Sequence, residues 1–193
     1  LGFSLQQTKT KLDGGYGEQG DDEPLAEQQL ILYAQVSKLQ NAISAIEASQ
    51  EIAAAGKTPP WMTLAAFMHS LGKVDLSLWK DAEFTEEQIE VFRQDLQTLD
   101  DALAFYNAWR RLSIKAAAFS EAGIDALSPA SRKLAEDWMA MVDKLTHGNS
   151  EHEGAYLEVD KKRDKWNPAE RELMEKAEPY LTEILARFRR NED

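Results

Sequence analysis

Between residues 25 and 53 the apolar side chains recur alternately three and four positions apart. Leu25, Leu32, Val36, Leu39, Ile43, Ile46 and Ala53 hold the row, and Gln29 and Gln50 fill its gaps. One face of an α-helix has this spacing. It predicts a helix from Pro24 to Ala55, roughly 45 to 50 Å long at 1.5 Å per residue, with Gly56 as its terminator. Heptad spacing favours left-handed packing against other helices. The row, Leu32 and Leu39 included, is therefore expected to lie inside a dry helical interface, in a bundle, a long hairpin or a dimeric coiled coil.

Lys57-Thr58-Pro59-Pro60 interrupts the pattern. Trp61, Leu64, Ala65, Met68 and Leu71 then mark a short helix capped by Thr58, with Pro59 at its first position and Gly72 at its end. In the segment VDLSLWKDAEF, alternating Val74, Leu76 and Leu78 are too few to establish a sheet, so an irregular connector is expected. Thr85-Glu86-Glu87-Gln88 reads as a capping box and opens a second long helix over 86–121. Its inward row is Ile89, Phe92, Leu96, Leu99, Leu103, Tyr106 and Trp109, shifting phase to Ile114 and Ala117. Arg110 and Ser113 stand where a strict heptad would be apolar, so the seam is expected to turn away near Trp109. Antiparallel pairing of the two long helices is the economical arrangement.

Ser128-Pro129 starts a third major helix with Leu134, Trp138, Met141 and Leu145 on its apolar face. A weaker helix is expected over 151–165. Asn167-Pro168-Ala169-Glu170 then signals the last start, with Asn167 as cap and Glu170 as its reciprocal partner. Leu173, Ala177, Tyr180, Leu181, Ile184, Leu185 and Phe188 carry that helix, and Pro179 within it predicts a kink or a restart. The expected fold is all-α: an elongated multi-helix bundle with two long amphipathic helices, a short connecting helix and two or three further C-terminal helices. Residues 1–23, with Gly14, Gly15, Gly17 and Gly20 and no sustained period, read as a flexible or docked arm, and 24–193 as a single helical domain. No internal repeat is found.

Composition narrows the function classes. The 193 residues carry 34 acids against 22 bases, a net charge of -12, which repels nucleic acid and anionic lipid at long range. The small basic groups at Arg110, Arg111 and Lys115, at Lys161 to Lys165, and at Arg187 to Arg190 read as solvated helix faces. With no cysteine there is no disulfide, thiolate nucleophile or cysteine-held cluster. No run approaches the roughly 20 apolar residues of a membrane span. The chain begins at Leu1 rather than at a methionine, as expected of a processed or trimmed product, so a preceding leader, lipid anchor or spanning segment stays open. The compartment, cytoplasmic or periplasmic and secreted, is open as well.

Chemistry is sparse. The three histidines are His69, His147 and His152. HGNSEHE is the most ligand-like segment: His147, Glu151 and His152 would hold a divalent metal if the turn folded back, but an exposed polar turn is the simpler reading. His69 lies near Trp61, Phe67 and Met68 and reads as a cap or core-edge residue. Neither HExxH nor Glu-x-x-His occurs, and no phosphate loop or dinucleotide fingerprint is present, so no cofactor is expected. Carboxylates crowd between Asp75 and Asp101, where first-turn positions such as Glu86 and Glu87 suit the helix dipole. The best partner-binding candidates are the apolar residues around the connector: Trp61, Phe67, Met68, Leu71, Leu76, Leu78, Trp79 and Phe84. The expected function is a non-catalytic protein-protein interaction or adaptor domain, meeting another protein or a second copy through helical faces. The rival reading is a small-molecule or metal-binding helical domain with a possible enzymatic role.

Overall fold

The computed structural model describes residues 22–69 and 84–190, with side chains described over 28–68 and 84–188. Every regular element among them is helical: α1 Asp22–Ala54, α2 Trp61–His69, α3 Glu86–Asp95, α4 Leu99–Ala122, α5 Pro129–Thr146, α6 Ser150–Asp160, a 3-10 turn Arg163–Lys165, and α7 Pro168–Arg190. The chain is an all-α helical bundle, as its periodicity predicts. Most of the expected arm, most of the connector and the Gly72 terminator lie outside the described residues.

Two units are distinguished, Leu1–Val36 and Ser37–Asp193, and α1 contributes residues to each. The described part of the first unit is helical. There Gln29 Nε2 donates to the Tyr33 hydroxyl at 3.3 Å, one turn away, and Leu30, Ile31, Leu32 and Val36 are exposed.

The second unit contains the main core. Its axis is the interface between α4 and α7, the most extensive in the bundle. Leu112, Ile114, Ala117 and Phe119 of α4 meet Leu173, Ala177, Leu181 and Ile184 of α7, and Leu134 and Ala135 of α5 close a third side. Leu64 and Phe67 of α2 join the same cluster, as do Ala45, Ala48 and Ile52 of α1. The Tyr180 hydroxyl donates to the Ile124 carbonyl at 3.1 Å and lies 2.6 Å from Ser131 Oγ, which ties α7 to the start of α5. Burial raises the Tyr180 pKa, so this phenol is a neutral donor.

Local sequence sets the helix ends. At α3, Thr85 accepts from the Gln88 amide at 3.2 Å while Gln88 accepts from the Thr85 amide at 3.0 Å, the reciprocal box expected there. The single helix expected over 86–121 is instead two. Leu96 leaves helical geometry (φ -119, ψ 70), and Thr98 with Asp101 forms a second capping box, Thr98 Oγ1 accepting from Asp101 N at 3.1 Å and Asp101 accepting from Thr98 N at 3.0 Å. A Thr-x-x-Asp pair offers the backbone a way to start a helix, and here it overrides the apolar periodicity running through it. α4 ends at Gly123, whose φ of 63 is a left-handed value that glycine adopts without a Cβ clash. α5 begins with Ser128 accepting from Ser131 N, followed by Pro129, and ends at left-handed His147 and Gly148. α2 starts two residues later than predicted: Leu64 N bonds the Pro60 carbonyl at 3.0 Å, and neither proline needs an amide donor there. α7 runs as one helix through Pro179.

Two packing expectations are corrected. The seam of α4 does not end at Trp109, because Leu103, Tyr106, Arg110, Ser113 and Ala117 are all buried and keep one heptad register. Arg110, only 1% exposed, takes an interior position because polar partners await it. Along α1 the aliphatic row is turned outward. Within the second unit α1 buries Ser37, Asn41, Ser44, Ala45, Ala48, Ser49 and Ile52, whereas Leu39, Ile43 and Ile46 are exposed. Three of these polar side chains bond within the helix: Asn41 Nδ2 donates to the Ser37 carbonyl at 2.7 Å, Ser44 Oγ to Gln40 and Ser49 Oγ to Ala45, both at 2.8 Å, whereas Ser37 Oγ has no hydrogen-bond partner among the described residues. A serine or asparagine closed onto the carbonyl one turn back is buried at a lower desolvation cost than an unbonded one.

Candidate functional site

The outward face of α1 begins from helix geometry. At about 100° per residue, Leu39, Ile43 and Ile46 sit about 160° around the helix from Asn41, Ala45, Ala48 and Ile52. They are 66%, 54% and 53% exposed. In the first unit, taken alone, Leu32 and Val36 are also exposed, and they carry the same four-then-three spacing in the sequence. In heptad terms Val36 and Ile43 occupy a positions, and Leu32, Leu39 and Ile46 occupy d positions. β-branched a residues with leucine at d suit a parallel two-stranded coiled coil. The flanking e and g positions, among them Gln35, Gln40, Ala42 and Glu47, set no pair of like charges against each other across such a coil.

Among the described residues, the partner candidates named from sequence differ in exposure. Phe67 is 3% exposed, packed in the core with Lys176 Nζ 5.5 Å from its ring centre, and so is unavailable to a partner. Met68 is half-buried against the same core. Phe84 is half-buried and meets Phe92 edge-on at 5.2 Å. Trp61 is exposed, as is its neighbour Met62. Leu71, Leu76, Leu78 and Trp79 lie outside the described residues, as does the side chain of His69.

The HGNSEHE turn is opened out rather than folded into a cage. His147 is the exposed left-handed cap of α5, and Glu151 is exposed in the first turn of α6. His152 faces the other way: its Nδ1 donates to Asp95 Oδ1 at 2.7 Å, and the Asp95 side chain is fully buried at the end of α3. Among the described residues no three His, Cys, Asp or Glu side chains are grouped to hold a metal ion. The His152 and Asp95 pair has the orienting half of a catalytic triad, and no hydroxyl among the described residues is hydrogen-bonded to the remaining ring nitrogen. Burial, and then the Asp95 charge, raise the Tyr156 pKa well above the usual phenol range. That makes Tyr156 a poor proton acceptor or donor near neutrality.

A second polar cluster, not foreseen from the sequence, lies inside the bundle. Arg110 Nη1 donates to Glu170 Oε1 in a short ion pair, Tyr106 Oη donates to the same oxygen at 2.8 Å, and Arg110 Nε reaches Asn41 Oδ1 at 3.4 Å. Glu170 is thus drawn inward and does not return to its helix start; Asn167 Oδ1 caps α7 alone, accepting from Ala169 N at 2.9 Å. Burial first, then the Glu170 charge, raise the Tyr106 pKa, which keeps its proton available for donation. Three helices are held in register by these contacts, which makes the cluster a structural lock.

No membrane-crossing helix is present among the described residues. Set against known proteins, the chain matches no family model, no curated protein and no solved structure.

Proposed function

We propose that the chain is a non-catalytic helical association module whose α1 pairs through its outward aliphatic face with the same face of a second copy. The observation that carries this reading is the inversion of α1: the bundle uses the small and hydroxylated side of the helix, leaving a heptad row of Leu39, Ile43 and Ile46 in water. Fully burying an aliphatic side chain of this size contributes roughly 1.5 to 3 kcal/mol, so a face of several such residues is a substantial driving force left unused by the single chain. The e and g neighbours Gln35, Gln40 and Ala42, with Glu47 the charged one among them, and the β-branched a residues favour a parallel pair of identical helices. Two heptads bury less than a long coiled coil, which points to an association that is reversible and concentration-dependent.

Sedimentation equilibrium across a wide concentration range tests it. The expected result is a monomer-dimer equilibrium that Ile43→Lys shifts to monomer while the circular dichroism spectrum and melting midpoint of the monomer are retained. A parallel arrangement is checked by Leu39→Cys, which should crosslink to itself under mild oxidation. A chain that stays monomeric at every concentration, or a dimer indifferent to Ile43→Lys, overturns the proposal.

A further inference from the structure

Between α4, α5, α6 and α7, wholly within the second unit, lies a partly open cavity of about 510 Å³. That volume is in the range of small-molecule sites, which run from roughly 300 to 1,000 Å³. Its walls are dominated by apolar and aromatic groups, with Phe105, Trp109, Trp138, Met141, Trp166 and Leu181 among them. Leu99 and Leu157 line it while remaining exposed, which places them at its mouth. None of these residues belongs to the outward face of α1, so the cavity is independent of the association proposed above.

Four charged side chains line the same space: Glu153, Asp160, Arg163 and Glu178. Among the described residues that line it, the guanidinium is the single positive group, and it is already committed. Arg163 Nε donates to Asp160 Oδ1 at 3.0 Å, Nη2 donates to Glu178 Oε1 at 3.0 Å, and its remaining fork contacts go to the same two carboxylates. It also stacks over the Trp166 ring at 5.9 Å. Three carboxylates against one guanidinium leave the wall with an excess of negative charge. Among the described residues Glu153, half-buried on α6, has no ion-pair or hydrogen-bond partner for its carboxylate. An anionic ligand would meet repulsion and find no unengaged cation among the described lining residues, whereas a cationic head would meet Glu153 in a cavity that Trp109, Trp138 and Trp166 also line, and tryptophan rings attract cations through their quadrupoles.

We infer that this cavity is a binding site for an amphipathic organic cation, an apolar body carrying an amine or quaternary ammonium group, with the body among the aromatic walls and the charge near Glu153. The aromatic faces supply apolar contact and cation attraction together, and the Arg163 clamp fixes the wall from which α6 and α7 diverge.

Isothermal titration calorimetry with octyltrimethylammonium, octyl sulfate and octanol, all below micelle formation, tests the assignment on the full chain. The expected result is saturable binding of one octyltrimethylammonium per chain, roughly tenfold tighter than octanol, with octyl sulfate weaker than both. Glu153→Gln should remove most of the cation's advantage over octanol, and Ala102→Trp, which fills the cavity from α4, should abolish binding with the melting midpoint retained. Equal affinity for all three probes in the unaltered chain, a preference for octyl sulfate, or no saturable binding overturns the inference. So does loss of self-association in Ala102→Trp, since that would give the groove to a second copy of the chain.

Discussion

Helices α1 and α7 carry similar apolar periodicity and meet opposite fates. In α7 the row Leu173, Ala177, Tyr180, Leu181 and Ile184 is buried, and its polar residues Glu172, Glu175 and Glu183 face solvent in intrahelical ion pairs with Lys176, Arg171 and Arg187. In the part of α1 within the second unit, serine, asparagine and alanine are buried and leucine and isoleucine are exposed. The difference lies in what stands opposite. α7 presents bulky groups to α4, where Leu112, Ile114 and Phe119 fill the space between. α1 buries small side chains, of which Asn41, Ser44 and Ser49 bond to their own helix while Ser37 Oγ has no partner among the described residues, and Asn41 also receives Arg110. Hydrophobic periodicity therefore marks a face that can be buried; complementarity of size and polarity decides which face the single chain buries.

The largest expected effect comes from the lock that joins the two helices. Arg110→Met removes the guanidinium and leaves the Glu170 carboxylate in the interior without its cationic partner. Loss of one member of a buried pair costs about 3 to 5 kcal/mol, which urea denaturation would read as a lowered midpoint at nearly constant slope. Replacing both, Arg110→Met with Glu170→Met, is expected to recover most of that loss, since neither charge is then buried alone. If the double variant is no more stable than the single one, the pair is not what joins α1, α4 and α7.

The two aliphatic faces can be set against each other directly. Ile184→Ala on α7 opens a cavity in the core and should cost about 2 to 5 kcal/mol. Ile43→Ala on α1 should change the stability of the monomer by less than about 0.5 kcal/mol, while weakening self-association. Thermal melts at a concentration low enough to suppress dimers would separate the two. Equal losses would mean that the outward face of α1 is in fact packed within the chain.

How much of this was legible in the sequence follows from the same contrast. The helices, and the starts at Thr85, Ser128 and Asn167, could be read because capping and 3.6-residue periodicity are local. The break at Thr98 was also legible: Thr98-x-x-Asp101 is a box of the kind recognised at Thr85, but the apolar row running from Phe92 to Leu103 masked it. Thr98→Ala should accordingly lower stability by about 1 kcal/mol. Arg110 and Ser113 stood in heptad register, yet the burial of Arg110 depended on Glu170 and Asn41, 60 and 69 residues away, and Ser113 donates to Met174 Sδ, 61 residues away. The same distance problem hid the α1 inversion, the pairing of His152 with Asp95 across 57 residues, and the cavity, whose walls come from four helices. Glu170 was legible as a polar residue near a helix start; only the fold shows that it points inward.

The smallest expected effect concerns the polar edge of α7, where Glu178 meets Arg163, and it shows how that helix is held where its apolar face stops. The Arg163 hydrogen bonds lower the Glu178 pKa below 4.5, against the opposing effect of partial burial. Burial disfavours the Arg163 charge, but Glu178 and Asp160 more than offset it, so the guanidinium remains charged throughout the acid range. A carboxylate with a depressed folded pKa contributes stability that is fully present above its unfolded pKa and is lost as pH falls through the folded value. Glu178→Gln should therefore melt below the unaltered chain from pH 7 down to about 4.5, with the gap closing as the pH drops further. Because Glu178 is about half exposed, the gap should be small and should narrow with added salt. A gap that persists unchanged at pH 3 would show that Glu178 acts through packing, and α7 would then rely on its buried row as completely as α1 relies on its small one.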